Sequence, residues 1–478
     1  MTKQSREPSG SEAHRAAEAV THLLQMAGLL AVWAAAGCTG NVTSDLPPEQ
    51  AQPGVQDPGV RANVIGGSEA GGPFAGLSAT DSAAFQAGLA QFTEVELVQT
   101  PTGDGAGLGP RYNSTACSRC HAQPAVGGTS PSVNPQIADA TTHGATNAIP
   151  WFVTLNGPVR EARFKNRFDG TPDGSVHDLY TITGRDDAVG CTISQPSFTP
   201  AGDPLTGQGG NRNLALRIPT PLFGAGLIEA IPDTAIVMNM AADADLKASL
   251  GIFGHPNLSG NDATITRFGW KAQNKSLLIF SGEAYNVEIG VTNELFPQER
   301  DETPGCLFNP LPEDSFDPTA ATPLAGASDV MVFAIFMRFL APPTPAPDTP
   351  SIARGRGLFQ TTGCALCHTP TFQTGNATNS ALANQPVNLF SDLLLHAMGN
   401  KLADGISQGS AGPNEFRTAP LWGVGQRLFF LHDGRTRDLV EAIEAHRSKN
   451  SEATEVIERF NRLDASQEQD LVNFVRSL

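Results

Sequence analysis

Two short segments constrain this chain more than anything else in it: Cys117-Ser118-Arg119-Cys120-His121 and Cys364-Ala365-Leu366-Cys367-His368. Two thiols three positions apart fall on one helical turn, where they reach the two vinyl groups at one edge of a haem and form thioethers. The adjacent His then turns under the ring as the proximal iron ligand. A zinc site built from two Cys-x-x-Cys pairs is the competing reading, but it leaves the immediate His of each pair unexplained. The pattern therefore predicts two covalently bound c-type haems. Cys117, Cys120, Cys364 and Cys367 are the attachment points, and His121 and His368 are iron ligands. Such centres carry electron transfer or haem redox chemistry, and attachment of this kind takes place after export.

The N-terminus agrees with export. A polar lead holding Lys3, Arg6, His14 and Arg15 is followed by an apolar run from Leu23 to Trp33 and then by Ala35-Ala36-Gly37-Cys38. That is the layout of a secretory signal over residues 1–38. Small residues directly before a cysteine also match a lipoprotein cleavage box with Cys38 as the lipidated residue; the alternative is a plain signal with an incidental Cys. The apolar run is too short to span a bilayer. Thr39 after the cysteine favours outer-membrane sorting, so the expectation is a periplasmic, lipid-anchored protein of the outer membrane. Residues 39–70, rich in Pro, Gly, Asp and Gln, read as a flexible tether.

A formal charge of −17 and a pI near 5.0 argue against nucleic acid and suit a small basic electron donor instead. Of seven cysteines, Cys191 and Cys306 remain after the anchor and the haem motifs. In an oxidising compartment two leftover cysteines usually pair, and such a bridge stabilises by roughly 2–5 kcal/mol.

At 478 residues the chain has room for more than one core. The expected fold is mainly α: two cytochrome c-like haem domains, the first with a β-containing insertion. The first covers 71–341 and the second 351–478, with the stiff Pro342–Pro350 stretch between them. Each motif follows a short helical stretch, Phe85–Phe92 with apolar residues at i, i+4 and i+7, and Ile352–Phe359. Between 150 and 232, Trp151–Leu155, Asp178–Thr183 and Leu214–Ile218 have strand composition. Near the C-terminus, Ser466 with Gln469 suggests a capping box opening a helix that presents Leu471, Phe474, Val475 and Leu478 on one face. A helix from about Arg437 to His446 places His446 on the same face as Leu439 and Ile443, toward the second haem. Its rivals as distal ligand are His396 and Met398.

The segments Gly107–His121, Arg217–Glu229, Glu415–Gly425, Leu431-His432-Asp433-Gly434 and Glu441–His446 together resemble the di-haem oxidoreductase family, a group related to bacterial di-haem cytochrome c peroxidases and to the di-haem enzyme that matures methylamine dehydrogenase. In the peroxidases the distal ligand of the C-terminal haem lies fourteen positions after the His of His-Asp-Gly. From His432 that position is His446. A His there, where the peroxidases have Met and the maturation enzyme Tyr, implies bis-His ligation and a lower potential. The resemblance also makes Trp270 an electron relay and Glu288 the acid/base residue beside a peroxide site. Here Ile289 replaces the family's Met, and Lys271 replaces its Asp. Arg427-Leu428-Phe429 stand where the peroxidases have a Thr-x-Pro, which leaves an interdomain calcium in doubt. His143 and His177 read as surface residues, so the His121 haem has no evident distal His.

Taken together, the resemblance implies electron flow from a periplasmic donor, such as a small cytochrome or cupredoxin, through the C-terminal haem to the N-terminal haem and on to a small oxidant, best hydrogen peroxide. A non-catalytic di-haem carrier is the alternative, and oxidation of a partner protein also fits the architecture. No cysteine remains for thiol catalysis.

Overall fold

The computed structural model describes residues 52–64, 70–103, 105–112, 114–166, 185–195, 198, 213–298, 303 and 305–478, and the backbone of 176–177. Cys38, the signal segment and Asp178–Thr183 lie outside the described residues. The described chain falls within one compact unit and is rich in helix, with only small sheets.

Helix α1 (Ala79–Thr93) starts at Ser78, whose side chain accepts the Asp81 N–H, and buries Phe85, Gly88 and Phe92 along one face. The single turn α2 (Cys117–Cys120) carries the first motif. Strands β1 (Glu161–Phe164), β2 (Val176–His177) and β3 (Leu214–Arg217) form an antiparallel sheet in the order β2-β1-β3, with Arg163 opposite Ala215. Helix α3 (Leu277–Glu288) is capped by Ser276, and α4 (Asp329–Phe339) packs on both α1 and α3. A Cβ at Gly88 would sit 2.5 Å from the Val332 carbonyl oxygen, so only glycine allows α1 to lie this close to α4.

The second motif repeats that arrangement. Helix α5 (Pro350–Thr362) leads into it, α6 (Leu439–Glu444) and α7 (Thr454–Phe460) follow, and α8 (Ala465–Ser477) packs back on α5. A Cβ at Gly355 would lie 1.9 Å from the Asp470 carbonyl oxygen. Ile352, Gly355 and Phe359 thus repeat the spacing of Phe85, Gly88 and Phe92. Phe474 meets Phe359 at 5.3 Å between ring centroids, as Phe336 meets Phe92 at 4.8 Å. A two-stranded antiparallel pair, β4 (Leu395–Ala397) with β5 (Glu415–Arg417), completes this half.

Several expectations need correcting. The α8 capping box is Asp464 with Gln467, not Ser466 with Gln469. Asp464 is the extended residue before the helix, its carboxylate takes the Gln467 N–H at 2.9 Å, and Gln467 Oε1 takes the Asp464 N–H at 3.1 Å. The apolar face is as read, with Leu471, Phe474, Val475 and Leu478 all buried. The helix read over Arg437–His446 is only Leu439–Glu444, because the Asp438 side chain caps it two residues later and His446 falls just past its end. Trp151–Leu155 forms turns, with Phe152 and Val153 packed against the sheet, while β1, whose Glu-Ala-Arg-Phe alternates, is only four residues long and gave too short a pattern to read. The expected tether is ordered over 52–64. There Asp57 pairs with Arg476 through two 2.6 Å bonds and accepts the Leu439 N–H, which ties the segment to α8 and to the start of α6. After 342–350 a second hydrophobic cluster forms from Ile352, Phe359, Phe460, Leu471 and Phe474, while the first cluster, built around Phe85 and Phe336, also takes in Leu389, Leu393 and Trp422.

Candidate haem sites

At the second motif α5 ends at Gly363 in a left-handed conformation, and a 3₁₀ turn over Cys364–Leu366 presents the two sulfurs and His368. His368 Nδ1 lies 3.0 Å from the Phe390 carbonyl oxygen, and His446 Nδ1 lies 2.7 Å from that of Ala442. A carbonyl only accepts, so each ring carries its proton on Nδ1 and keeps the Nε2 lone pair for a metal. Burial lowers the His368 pKa to about 4 and lowers that of His446, favouring the neutral form that ligates. Both imidazoles, with Cys364 and Cys367, line one cavity, and Phe359, Leu439, Ile443 and Val475 make much of its wall apolar.

His396, a rival ligand, is already engaged. Its Nε2 lies 2.9 Å from Asp392 Oδ2 and its Nδ1 2.7 Å from Glu452 Oε2. Two carboxylates need a ring that donates from both nitrogens, so no lone pair is left. Burial opposes the charge on His396, but Cys367 and Asp392 lift its pKa well above the usual value. Met398 remains on the cavity wall.

At the first motif His121 is buried, and its Nδ1 lies 3.0 Å from the Gly128 carbonyl oxygen. Phe92 packs edge-on against its ring at 6.0 Å, as Phe359 lies 6.3 Å from that of His368. His121 Nε2 faces Glu288 Oε2 at 3.8 Å, where α3 ends. Half-buried Glu161 and buried Arg163 on β1 lie 3.6 Å apart, and both feel the Glu288 charge. His143 is paired instead with Asp186 at 2.9 Å, and the side chain of His177 lies outside the described residues.

Trp270 lines the His368/His446 cavity and donates through Nε1 to the Ile218 carbonyl at 2.9 Å. The next carbonyl, that of Pro219, accepts the Thr129 hydroxyl at 2.6 Å, and Thr129 follows the Gly128 that fixes His121. A short run of peptide and hydrogen bonds thus joins the two sites through Trp270. Lys271, where the family has Asp, is fully buried between Asp404 at 3.2 Å and the Gly412 and Glu415 carbonyls. Burial lowers its pKa to about 8. Its ammonium lies over Phe416, which stacks on His432 at 4.3 Å. Arg427 is half-buried and donates to the Pro420 carbonyl at 3.1 Å; a cation at that position is a poor neighbour for a divalent ion.

Cys191 and Cys306 are joined in a disulfide, and none of the four motif cysteines is. Burial pushes the Cys364 thiol up to about 11, the opposite of a nucleophile's environment. Sequence reasoning missed the carbonyls of Gly128 and Phe390, the Asp392–His396–Glu452 triad and the approach of β1 to Glu288. All of them join residues distant in sequence or use backbone groups, which leave no local pattern.

Two Cys-x-x-Cys-His turns, each with an imidazole poised through a free Nε2, define a haem-binding redox protein. The chain belongs to the di-haem oxidoreductase family: residues 209–478 match the family described as "Di-haem oxidoreductase, putative peroxidase". Haem is therefore its cofactor, and the residues lining the His368/His446 cavity fit it. The first motif lies upstream of the matched residues. Among solved structures the chain is similar to a MauG-like protein associated with microbial copper homeostasis, at 19% identity over 34% of this chain and 55% of that one, with a TM-score of 0.25. It is also similar to Kuenenia stuttgartiensis hydrazine synthase, at 18% identity over 33% and 56%, with a TM-score of 0.21. The matches span little more than half of either chain. No curated protein matches it.

Proposed function

We propose that this protein is a c-type di-haem oxidoreductase that takes electrons from a donor at its Cys364–His368 side and reduces hydrogen peroxide to water at its Cys117–His121 side. The observation that carries the reading is an inequality. Opposite the ligand nitrogen of His121 stands a carboxylate, Glu288 at 3.8 Å, whereas the cavity beside His368 contains a second imidazole, His446, with its own free nitrogen. Cys117, Cys120 and His121 would hold haem at the first place and Cys364, Cys367, His368 and His446 at the second, where it would supply one-electron redox chemistry. Glu288 is suited to take a proton from the near oxygen of peroxide and return it to the far one as the O–O bond breaks. His446 closes the second site to small molecules. Trp270, bonded to the backbone next to Thr129 and lining the second cavity, lies on the electron route.

The protein is further proposed to be exported, lipid-anchored through Cys38 at the outer membrane, and served by a small cytochrome or cupredoxin. The test is peroxide turnover by Glu288→Gln with donor in excess. The expected outcome is a loss of about 10²–10⁴-fold at unchanged haem content. Wild-type protein that reduces no peroxide would leave a two-haem electron carrier instead.

A further inference from the structure

Outside the two motifs themselves, the hydroxyl of Tyr285 on α3 lies 3.0 Å from Glu96 Oε1 and 2.9 Å from Asp329 Oδ2. Tyr285 is 3% exposed and Glu96 4%. A phenol has one proton and can donate to only one of these carboxyls. The other bond exists only if the second carboxyl is itself protonated. The trio therefore holds a proton beyond the phenol's own, with one ionised carboxylate in contact with the hydroxyl. Burial, reinforced by the neighbouring acids, raises Glu96 to about 8 and Asp329 to about 7, in agreement with that count. Among the described residues no Lys or Arg lines the pocket beyond, where Glu94, Glu313, Asp314 and Asp317 stand. A buried and a half-buried acid with no cation beside them among those residues are a costly way to seat a tyrosine that needs a single partner.

The ring is also connected to the first site. Tyr285 packs edge-on against Phe333 at 5.0 Å, Phe333 edge-on against Phe92 at 6.1 Å, and Phe92 against His121 at 6.0 Å. The Glu96 N–H donates to the Thr115 carbonyl at 2.7 Å, two residues before Cys117 of the same motif. We propose that Tyr285 is a redox-active residue, a one-electron donor to the His121 site whose phenolic proton passes to the carboxylate already bonded to it. An oxidised phenol is a very strong acid, so in a low-dielectric interior it needs such an acceptor in contact. The step balances as follows. The phenol O–H bond breaks, its proton joins the ionised carboxyl of the Glu96/Asp329 pair, and one electron passes along Phe333 and Phe92. That electron reduces a peroxide-derived oxidising equivalent held at the His121 site. The phenoxyl returns to phenol when an external one-electron donor reduces it and the carboxyl gives the proton back.

This rests on the peroxide-reducing reading above, and the experiment separates the two. Holoprotein is frozen within a second of adding one equivalent of hydrogen peroxide without donor, and its EPR spectrum and peroxide consumption are recorded. The chain has three tyrosines, so ring-deuterated tyrosine identifies the residue class and Tyr285→Phe the position. Wild-type protein is expected to show a narrow organic-radical signal that sharpens with deuteration. Tyr285→Phe is expected to lose it while binding haem and consuming peroxide as before. Asp329→Asn, which keeps the phenol, is expected to lower the radical yield several-fold. A protein that consumes peroxide with no such signal, or whose signal survives in Tyr285→Phe, overturns the proposal alone. A protein that consumes no peroxide overturns the underlying reading, and this proposal with it.

Discussion

The two motif regions share one frame and differ in what faces the frame. In both, an entry helix buries an apolar residue, a glycine and a phenylalanine at i, i+3 and i+7. In both the glycine lets a later helix approach, and a phenylalanine of that helix packs on the entry helix's own. In both the motif His gives its Nδ1 to a backbone carbonyl 3.0 Å away. The common parts hold a ligand in place. The unlike parts are Glu288 at one site and His446 at the other, and in the proposed function the difference in chemistry lies with them. Internal repetition thus fixes the scaffold, while function lies in the few positions where the repeats diverge.

The largest effect that separates the regions should come from removing one attachment point. Cys117→Ser with Cys120→Ser is expected to leave one covalent haem per chain, seen by mass spectrometry, and to take peroxide turnover to background. The matching pair at Cys364 and Cys367 should instead keep the peroxide-reactive centre while cutting its supply of electrons from the donor. Next in size is His446→Met. It should preserve haem content and raise the potential of the second centre only, since thioether ligation favours the reduced state relative to imidazole; a redox titration resolves the two waves.

The shared frame can be broken separately. Gly355→Ala forces a methyl against the Asp470 carbonyl, a backbone atom that cannot move aside, and should cost about 1–3 kcal/mol by denaturant titration. The smallest effect is in pH. Glu96 and Asp329 have pKa values raised from 4.5 to about 8 and from 3.8 to about 7, so the folded state binds protons more tightly than the unfolded one. Their contribution to stability is therefore greatest below the unfolded values and falls as pH rises from about 4 to about 8. Glu96→Gln should flatten the stability profile across that window.

Much of this inequality was legible in the sequence. The motifs needed only five residues each, and the family pattern pointed to both His446 and Glu288. Helical phase led to His446 too, although α6 proved shorter than its periodicity suggested, because Asp438 caps it late. Other features had no local signal. His396 looked like a candidate ligand until Glu452, 56 positions away, was seen to occupy its second nitrogen. Lys271 looked like a departure that weakened the Trp270 assignment. In the structure it is a buried cation balanced by Asp404, which also holds Arg217 at 2.6 Å. Residues 52–64 had the composition of a linker, yet Asp57 ties them to α8. Composition reports average tendency, and a single buried ion pair can override it.

The most direct measurement is the spin state of each haem during a spectroelectrochemical titration, with peroxide added at each applied potential. The account requires one low-spin centre with bis-imidazole character that changes only in His446 variants, and one centre that turns high-spin and responds to peroxide. Two low-spin centres at every potential, neither altered by peroxide, would contradict it.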